Sequence, residues 1–366
     1  MNSTSEKDGD VLSSRKVKVF LGAFINQTNA QNLNCLTLAR YLDKSKYVVY
    51  ALAIKHGNLN TGHLPGVRVF TCFYPVKLTA YLGLLWGIAV ADVAYLPRGN
   101  FFNWQRFLIR LFRRKSFKTI ENVIDEAWLG SAQKVLGSMD NVMLNYAYCT
   151  RNYSITQYMR DYNLKRWNLQ SEKTILPLLT DTGLFGRIRS VRDRLTGAIF
   201  IGNDMARKGV EYFIRLASTS PHLVFHVVGS NTTGIDLAAL IKKHNAPNVI
   251  IHGLLLHENL LALLKDVQLH VLPSSSEGFP RGIIETAAAG VPTLTFSGYG
   301  AEEWIKNDVN GFVADTWDDM RGWMTSLTAE KIEHLSRGAI DLSARFDANS
   351  IVKKYEAIID ALYEDR

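Results

Sequence analysis

The chain has 366 residues, 47% of them hydrophobic and 21% charged, with a formal net charge of +8. This is the balance of an ordinary globular protein and leaves room for two domains, each with its own core. Three scattered cysteines, Cys35, Cys72 and Cys149, with no C-x-x-C spacing, exclude structural zinc and dithiol chemistry and point to a reducing, cytoplasmic compartment.

The polar stretch 1–15 lacks the apolar core of a signal peptide and reads as a disordered tail. VKVFLGAFI opens the fold as a strand, with Gly22 in it or at its end, before a helix from about Ala30 to Leu42. VVYALAI, VRVFTCF, DVAYL, FKTIE and NVMLNYA read as the second to sixth strands. The apolar run Leu78–Leu96 contains Asp92 and barely reaches the ~20 residues that a membrane span needs, so it divides into a helix to about Ala91 and a strand. Strand and helix alternate as in a parallel, doubly wound sheet. The dinucleotide fingerprint G-x-G-x-x-G does not follow the first strand.

ILPLLTDTGLFGR, with Pro177, Gly183 and Gly186, reads as a link. A second strand–helix series follows from Gly197: AIFIGND, the helix GVEYFIRLAS, then LVFHVVGSN, NVIIHG, the helix ENLLALLK, VQLHVLPS and PTLTFSG. The expected organisation is an α/β protein of two Rossmann-like doubly wound parallel-sheet domains, 16–183 and 184–345. A last helix, 346–366, is expected to cross back to the first domain. In such sheets ligands bind outside the carboxyl ends of the strands, so the cleft between the domains is the expected site.

Within the second series, Glu277–Glu285 reads E-G-F-P-R-G-I-I-E. Pro280 suits the first turn of a helix running from about Arg281 to Ala289, closed by Gly290 and Pro292. Glu277 then lies on the loop before the helix and Glu285 one turn into it. The free backbone N–H groups at the helix start suit an anion. Two carboxylates for hydroxyl groups and one dipole for phosphate match a nucleotide sugar.

This segment resembles the E-x7-E motif of retaining GT-B glycosyltransferases, in particular glycosyltransferase family 4. The resemblance extends through HGLLLHENLLALLKDVQLHVLPSSSEGFPRGIIETAAAGVPTL, VVGSN, DVNGFVAD and ILPLLTDTGLF. It is strong over about 175–350, moderate over 17–60 and weak between 60 and 150. It implies a GT-B fold and transfer of a hexose-type sugar from a nucleoside-diphosphate sugar, UDP- ahead of GDP-. The acceptor implied is a glycan or lipid-linked saccharide in the synthesis of a surface polysaccharide or glycoconjugate.

The roles implied are specific. Arg207 and Lys208, in GNDMARKGVEY, stabilise the charge that develops on the departing diphosphate. Many family members place an Arg directly after the strand's Gly, where this chain has Asn203. Glu277 faces the donor sugar and Glu285 the ribose hydroxyls. Gly278, Phe279 and Pro280, with the backbone of Arg281, Gly282 and Ile283, lie along the donor. Gly22 lets the backbone approach the diphosphate. Gly229 and Leu254 lie by the base. Family members often carry a His after the fifth strand, where this chain has Glu121. No metal or cofactor is expected, because the only D-x-D is Asp8–Asp10 in the tail.

The stretch 98–118 carries Arg98, Arg106, Arg110, Arg113, Arg114, Lys115 and Lys118 without an acid, and Trp104, Phe107, Leu108, Leu111 and Phe112 recur among them at helical spacing. Such a helix either covers the sheet or lies on an anionic membrane surface, with the protein peripheral on the inner face of the membrane. No nucleic-acid-binding module is recognisable, so nucleic acid is not an expected partner. A catalytically silent GT-B subunit that binds nucleotide or glycan and stabilises a partner is the rival reading.

Overall fold

The computed structural model describes residues 15–97, 99 and 101–365. The tail reading, apart from residue 15, and Arg98 lie outside them. The first sheet is built from β1 (Val17–Phe24), β2 (Tyr47–Ile54), β3 (Val67–Cys72), β4 (Val93–Tyr95), β5 (Lys115–Ile120) and β6 (Arg151–Ser154). The second contains β7 (Gly197–Ile201), β8 (Val224–Val228), β9 (Val249–Gly253), β10 (Leu269–Leu272), β11 (Thr293–Phe296) and β12 (Gly311–Ala314).

The strand orders are β3-β2-β1-β4-β5-β6 and β12-β11-β10-β7-β8-β9, and the pairings are parallel. Both sheets therefore have the doubly wound order in which the winding reverses beside the first strand. This is the GT-B arrangement of two Rossmann-like domains. Helices cover both faces of each sheet, so central strands such as VKVFLGAF and LHVL are buried along nearly their whole length.

The domains are joined twice. The segment Leu176–Thr180 leads out of the first domain and is fastened to it: Leu179 N–H donates to Asn34 Oδ1 at 2.8 Å. Asp347 brings the chain back. Thr180 pairs with Asp347 as an isolated parallel bridge, and Thr182 Oγ1 donates to Asp347 Oδ1 at 2.5 Å. The helix Ala348–Glu364 then packs into the first core through Ile351, Val352, Tyr355, Ile359 and Leu362. Tyr355 Oη accepts from Asn34 and donates to Pro177 O, so one buried tyrosine links both crossings.

Two sequence expectations differ from the structure. NVMLNYA is not the sixth strand but part of the helix Met139–Ala147. Ser138 caps it, accepting from Asn141 N–H at 3.2 Å, and Val142 and Tyr146, four apart, share one buried face. The sixth strand is the short Arg151–Ser154. The basic stretch is likewise not one helix. The helix ends at Leu111, and Lys115 and Lys118 belong to β5, with Lys118 2% exposed.

Candidate functional site

Each sheet presents its switch point, β1/β4 or β7/β10, at the carboxyl ends of the strands. The turns there meet across a cleft. A cavity of about 320 Å³ is lined by Asn29 and Gln31 after β1, Glu121 and Asn122 after β5, and Glu277, Gly278 and Phe279 after β10. A neighbouring cavity of about 600 Å³ lies between Asn122, Asp125 and Trp128 on one side and Arg207, Ser276 and Glu277 on the other.

Glu277 is the focus of the charge. It is 8% exposed, and its Oε1 lies 2.7 Å from Lys208 Nζ and 3.3 Å from an Arg207 guanidinium nitrogen. Ser274 Oγ donates to the same oxygen at 3.0 Å. The cations come from the turn after β7. Gly209, at φ 73°, closes that turn against the Pro273 carbonyl, where any Cβ would sit 2.0 Å from the oxygen. Arg207 also donates to Asp204 and to the Ser276 carbonyl. Two adjacent residues are thus drawn toward β10, so one buried carboxylate holds two cations at the mouth of the cleft. Neighbouring cations of this kind can stabilise the charge of an anion such as a phosphate. Among the described residues no group of three or more His, Cys, Asp or Glu side chains is placed to hold a metal ion.

Glu121 follows β5 directly and faces the same cavity from the other domain. Its Oε1 accepts from Thr119 Oγ1 at 2.7 Å. Burial pushes its carboxyl up to about 7, against the Thr119 hydrogen bond and the charges of Lys118 and Arg281. Behind it, Lys118 Nζ donates to Asn145 O at 2.6 Å and to Asn145 Oδ1 at 3.1 Å, and burial lowers its ammonium to about 8. Gly278 touches Glu121 across the cleft: a Cβ at Gly278 would lie 2.3 Å from the Glu121 carbonyl oxygen.

The remaining expected residues divide. The helix Arg281–Ala288 starts after Pro280, with Glu285 one turn in. Glu285 does not face the cavity of Glu277. With Arg281 it lines a cavity of about 580 Å³ beside the hinge, together with Arg40, Tyr41, Asp181 and Arg187. The Arg281 side chain, 3.8 Å from Glu285, is half-buried, and two of its guanidinium nitrogens, themselves shielded from solvent, have no hydrogen-bond partner. The N–H groups of Arg281 and Ile283 are not free at the helix start. They donate to Phe279 O and Pro280 O, both at 2.9 Å. Gly282 stands over the buried His270, and the Phe279 ring is core, packed on Trp304 and Phe346.

Asn203 holds the next loop: its Oδ1 accepts from Ser230 N–H and its carbonyl from Thr232 N–H. Gly229 lies against Gly202 so closely that a Cβ would collide with its carbonyl. Leu254 is 72% exposed beside that loop. Gly22 lies inside β1 rather than at its end, and the Leu96 side chain fills the space beside it, so packing accounts for the glycine.

Three participants were not read from the sequence. Ser274 anchors Glu277, Asn122 borders both cleft cavities, and Trp128 lines the larger one. Ser274 sits in a serine run with nothing to distinguish it. Trp128 is in a helix capped by Asp125, and that cap was the available signal.

The fold is that of the GT-B glycosyltransferases. Residues 191–335 match the family model described as Glycosyl transferases group 1, so that domain lies in the C-terminal half. The crystal structure of Anabaena HepE in complex with UDP-glucose superposes with a TM-score of 0.74 at 17% identity, covering 95% of this chain and all of that one. An alpha-galactosylglucosyldiacylglycerol synthase of Streptococcus pneumoniae is 28% identical over 137 residues, 36% of this chain and 35% of that protein. A Campylobacter jejuni N,N'-diacetylbacillosaminyl-diphospho-undecaprenol alpha-1,3-N-acetylgalactosaminyltransferase is 24% identical over 229 residues, 58% of this chain and 60% of that one. Matches to curated relatives span from 25% to 60% of those proteins' lengths.

Proposed function

We propose that this protein is a retaining, metal-independent glycosyltransferase. It moves a hexose-type sugar from a UDP-sugar to a glycan or lipid-linked saccharide at the cytoplasmic side of a membrane. The observation that carries this reading is the convergence of Arg207 and Lys208 on Glu277 at the β7/β10 switch point, opposite Glu121. The Glycosyl transferases group 1 match over 191–335 and the UDP-glucose bound by HepE support it.

In the reaction the bond from the anomeric carbon to the diphosphate oxygen breaks, and the electron pair leaves with the phosphate. Arg207 and Lys208 take up that charge. Glu277 stays fixed by Ser274 and stabilises positive charge at the anomeric carbon. The acceptor hydroxyl bonds to that carbon from the face the diphosphate leaves, and its proton passes to the leaving phosphate oxygen. Glu121, held largely protonated below about pH 7 by burial, hydrogen-bonds sugar hydroxyls from the N-terminal domain. Glu285 takes the ribose.

The test is release of UDP from UDP-hexoses with a mixed glycan acceptor, for the parent and for Lys208→Ala and Arg207→Ala. Transfer at the parent rate by both variants would sink the reading. Nucleotide binding without turnover for any donor would favour the silent subunit.

A further inference from the structure

The face of the N-terminal domain formed by the helices Val76–Val90 and Phe102–Leu111 is built to lie on a surface. The two helices pack side by side on the sheet: Trp104 Nε1 donates to Tyr81 O at 3.1 Å, and Tyr81 meets the rings of Phe101 and Trp104 edge-on. Their inner stripes, Ala80, Leu84 and Ile88 with Leu108 and Ile109, fill the core. Their outer stripe is also apolar. Leu78, Leu82, Phe107 and Leu111 are each more than half exposed, and Trp104 stacks on Phe107 with ring centres 5.4 Å apart. An ordinary solvated helix shows water its polar side, and a contiguous exposed apolar patch marks an interaction site.

The charge around the patch selects the partner. Lys77, Arg110 and Arg113, on or just after these helices, are exposed, and Arg106, Arg114 and Lys115 are half-buried. From Phe73 to Ile120 the only acidic residue is Asp92, which is 2% exposed. A second copy docking on the same face would set these cations against their own images. An anionic lipid surface accepts both halves of the pattern: leucines and aromatic rings at the headgroup boundary, guanidinium groups on the phosphates. Among the described residues no helix is long and apolar enough to cross a membrane, so this face would rest on the bilayer rather than span it.

We infer that the face formed by these two helices is a docking surface for an anionic lipid bilayer. Part of its apolar half, Leu78 and Leu82 of the first helix, lies outside the basic stretch 98–118 and joins Phe107 and Leu111 within it. Phe73 and Tyr74, which follow the carboxyl end of β3, are 54% and 89% exposed and extend the patch toward the cleft end of the sheet. Docking therefore turns the mouth of the cleft toward the bilayer, where the saccharide of a lipid-linked acceptor lies. The docking itself does not depend on glycosyl transfer.

The experiment is co-sedimentation of the full chain with vesicles of phosphatidylcholine, alone or with about 30% phosphatidylglycerol, at about 0.1 M and 0.5 M NaCl. Binding is expected to be about tenfold tighter on the anionic vesicles and to weaken at high salt. Leu78→Ser/Leu82→Ser and Arg110→Glu/Arg113→Glu should each lower it by about tenfold, while the thermal shift given by UDP stays at the parent value. Equal binding to both vesicle types, or unchanged binding by both double variants, would overturn the inference. So would a concentration-dependent dimer that Leu78→Ser/Leu82→Ser abolishes.

Discussion

In the C-terminal domain the turn after β7 carries two adjacent cations, and the turn after β10 carries the buried carboxylate that holds them. In the N-terminal domain the strand equivalent to β7 is followed by Ile25-Asn-Gln-Thr-Asn, which bears no charge, and Glu121 comes instead from β5, outside the switch point. The same strand order thus carries two kinds of site lining. In the proposed reaction one half would meet the diphosphate with fixed charge. The other would meet sugar hydroxyls with amides, a tryptophan and a carboxyl that burial pushes up to about 7. A charged ligand calls for a dense local cluster, whereas hydroxyl groups are met by polar side chains gathered from several turns.

The strongest way to break this contrast is to remove the charge from one side. Lys208→Ala is expected to cost transfer about 10²- to 10³-fold in kcat, as for one lost oxyanion donor, with Arg207→Ala similar. Lys208→Ala also leaves Glu277 with Arg207 as its remaining cation. A lower melting temperature should accompany that variant, whereas Glu121→Gln should not lose the diphosphate contribution. Steady-state kinetics beside thermal melts checks both.

Glu121 is next in size. Its folded-state carboxyl titrates near 7, above the ordinary 4.5. The folded state therefore favours the protonated form. Stability from this group is complete below about pH 4.5 and is lost as the pH rises through 7. The whole difference is at most about 3 kcal/mol. Glu121→Gln keeps the hydrogen-bonding shape without the titration. Between pH 4.5 and 7 the stability of the parent should fall relative to the variant in urea unfolding. Parallel curves would remove the raised carboxyl from the account.

Gly278→Ala tests whether the halves touch as described. The added methyl would meet the Glu121 carbonyl, which is backbone and cannot swing away, so overpacking of about 1–3 kcal/mol falls on the closed cleft. Transfer should drop at least tenfold while UDP binding changes little, as read from kcat against KM. An unchanged kcat would show that catalysis takes place with the domains further apart.

What was legible in the chain follows from how local each signal is. Glu277, Arg207 and Lys208 lie in short strand–turn–helix units whose Gly and Pro spacing fixes which way the turns face. Five strands of each sheet were readable for the same reason, since buried parallel strands are continuous apolar runs, while the short edge strands Arg151–Ser154 and Gly311–Ala314 were not. Met139–Ala147 was misread because seven mainly apolar residues fit either period, and Ser138 was the deciding cue. The exposed side of Val76–Val90 was hidden because both its faces are apolar, so only packing shows which one is left uncovered. The separation of Glu285 from Glu277 was not readable either. It depends on how the hinge segment around Asp181 and Arg187 packs against the helix Arg281–Ala288, a contact between residues about a hundred positions apart.

That separation yields the smallest expected effect and the sharpest test of the donor's path. Glu277 and Glu285 belong to one nucleotide sugar only if the donor runs from the cleft cavity past Arg281 into the hinge cavity. The Arg281 guanidinium, paired with Glu285 at 3.8 Å and with two nitrogens lacking a hydrogen bond, would then lie along the nucleotide. Glu285→Gln retains one acceptor but loses the charge that strengthens bonds from ribose hydroxyls, a loss of about 1.5 kcal/mol, or roughly tenfold in UDP affinity. Titration calorimetry with UDP reads it directly, and uridine should show the same loss because the ribose is common to both. Unchanged affinity in Glu285→Gln beside weakened UDP binding in Lys208→Ala would confine the donor to the cleft and leave the hinge cavity to another occupant.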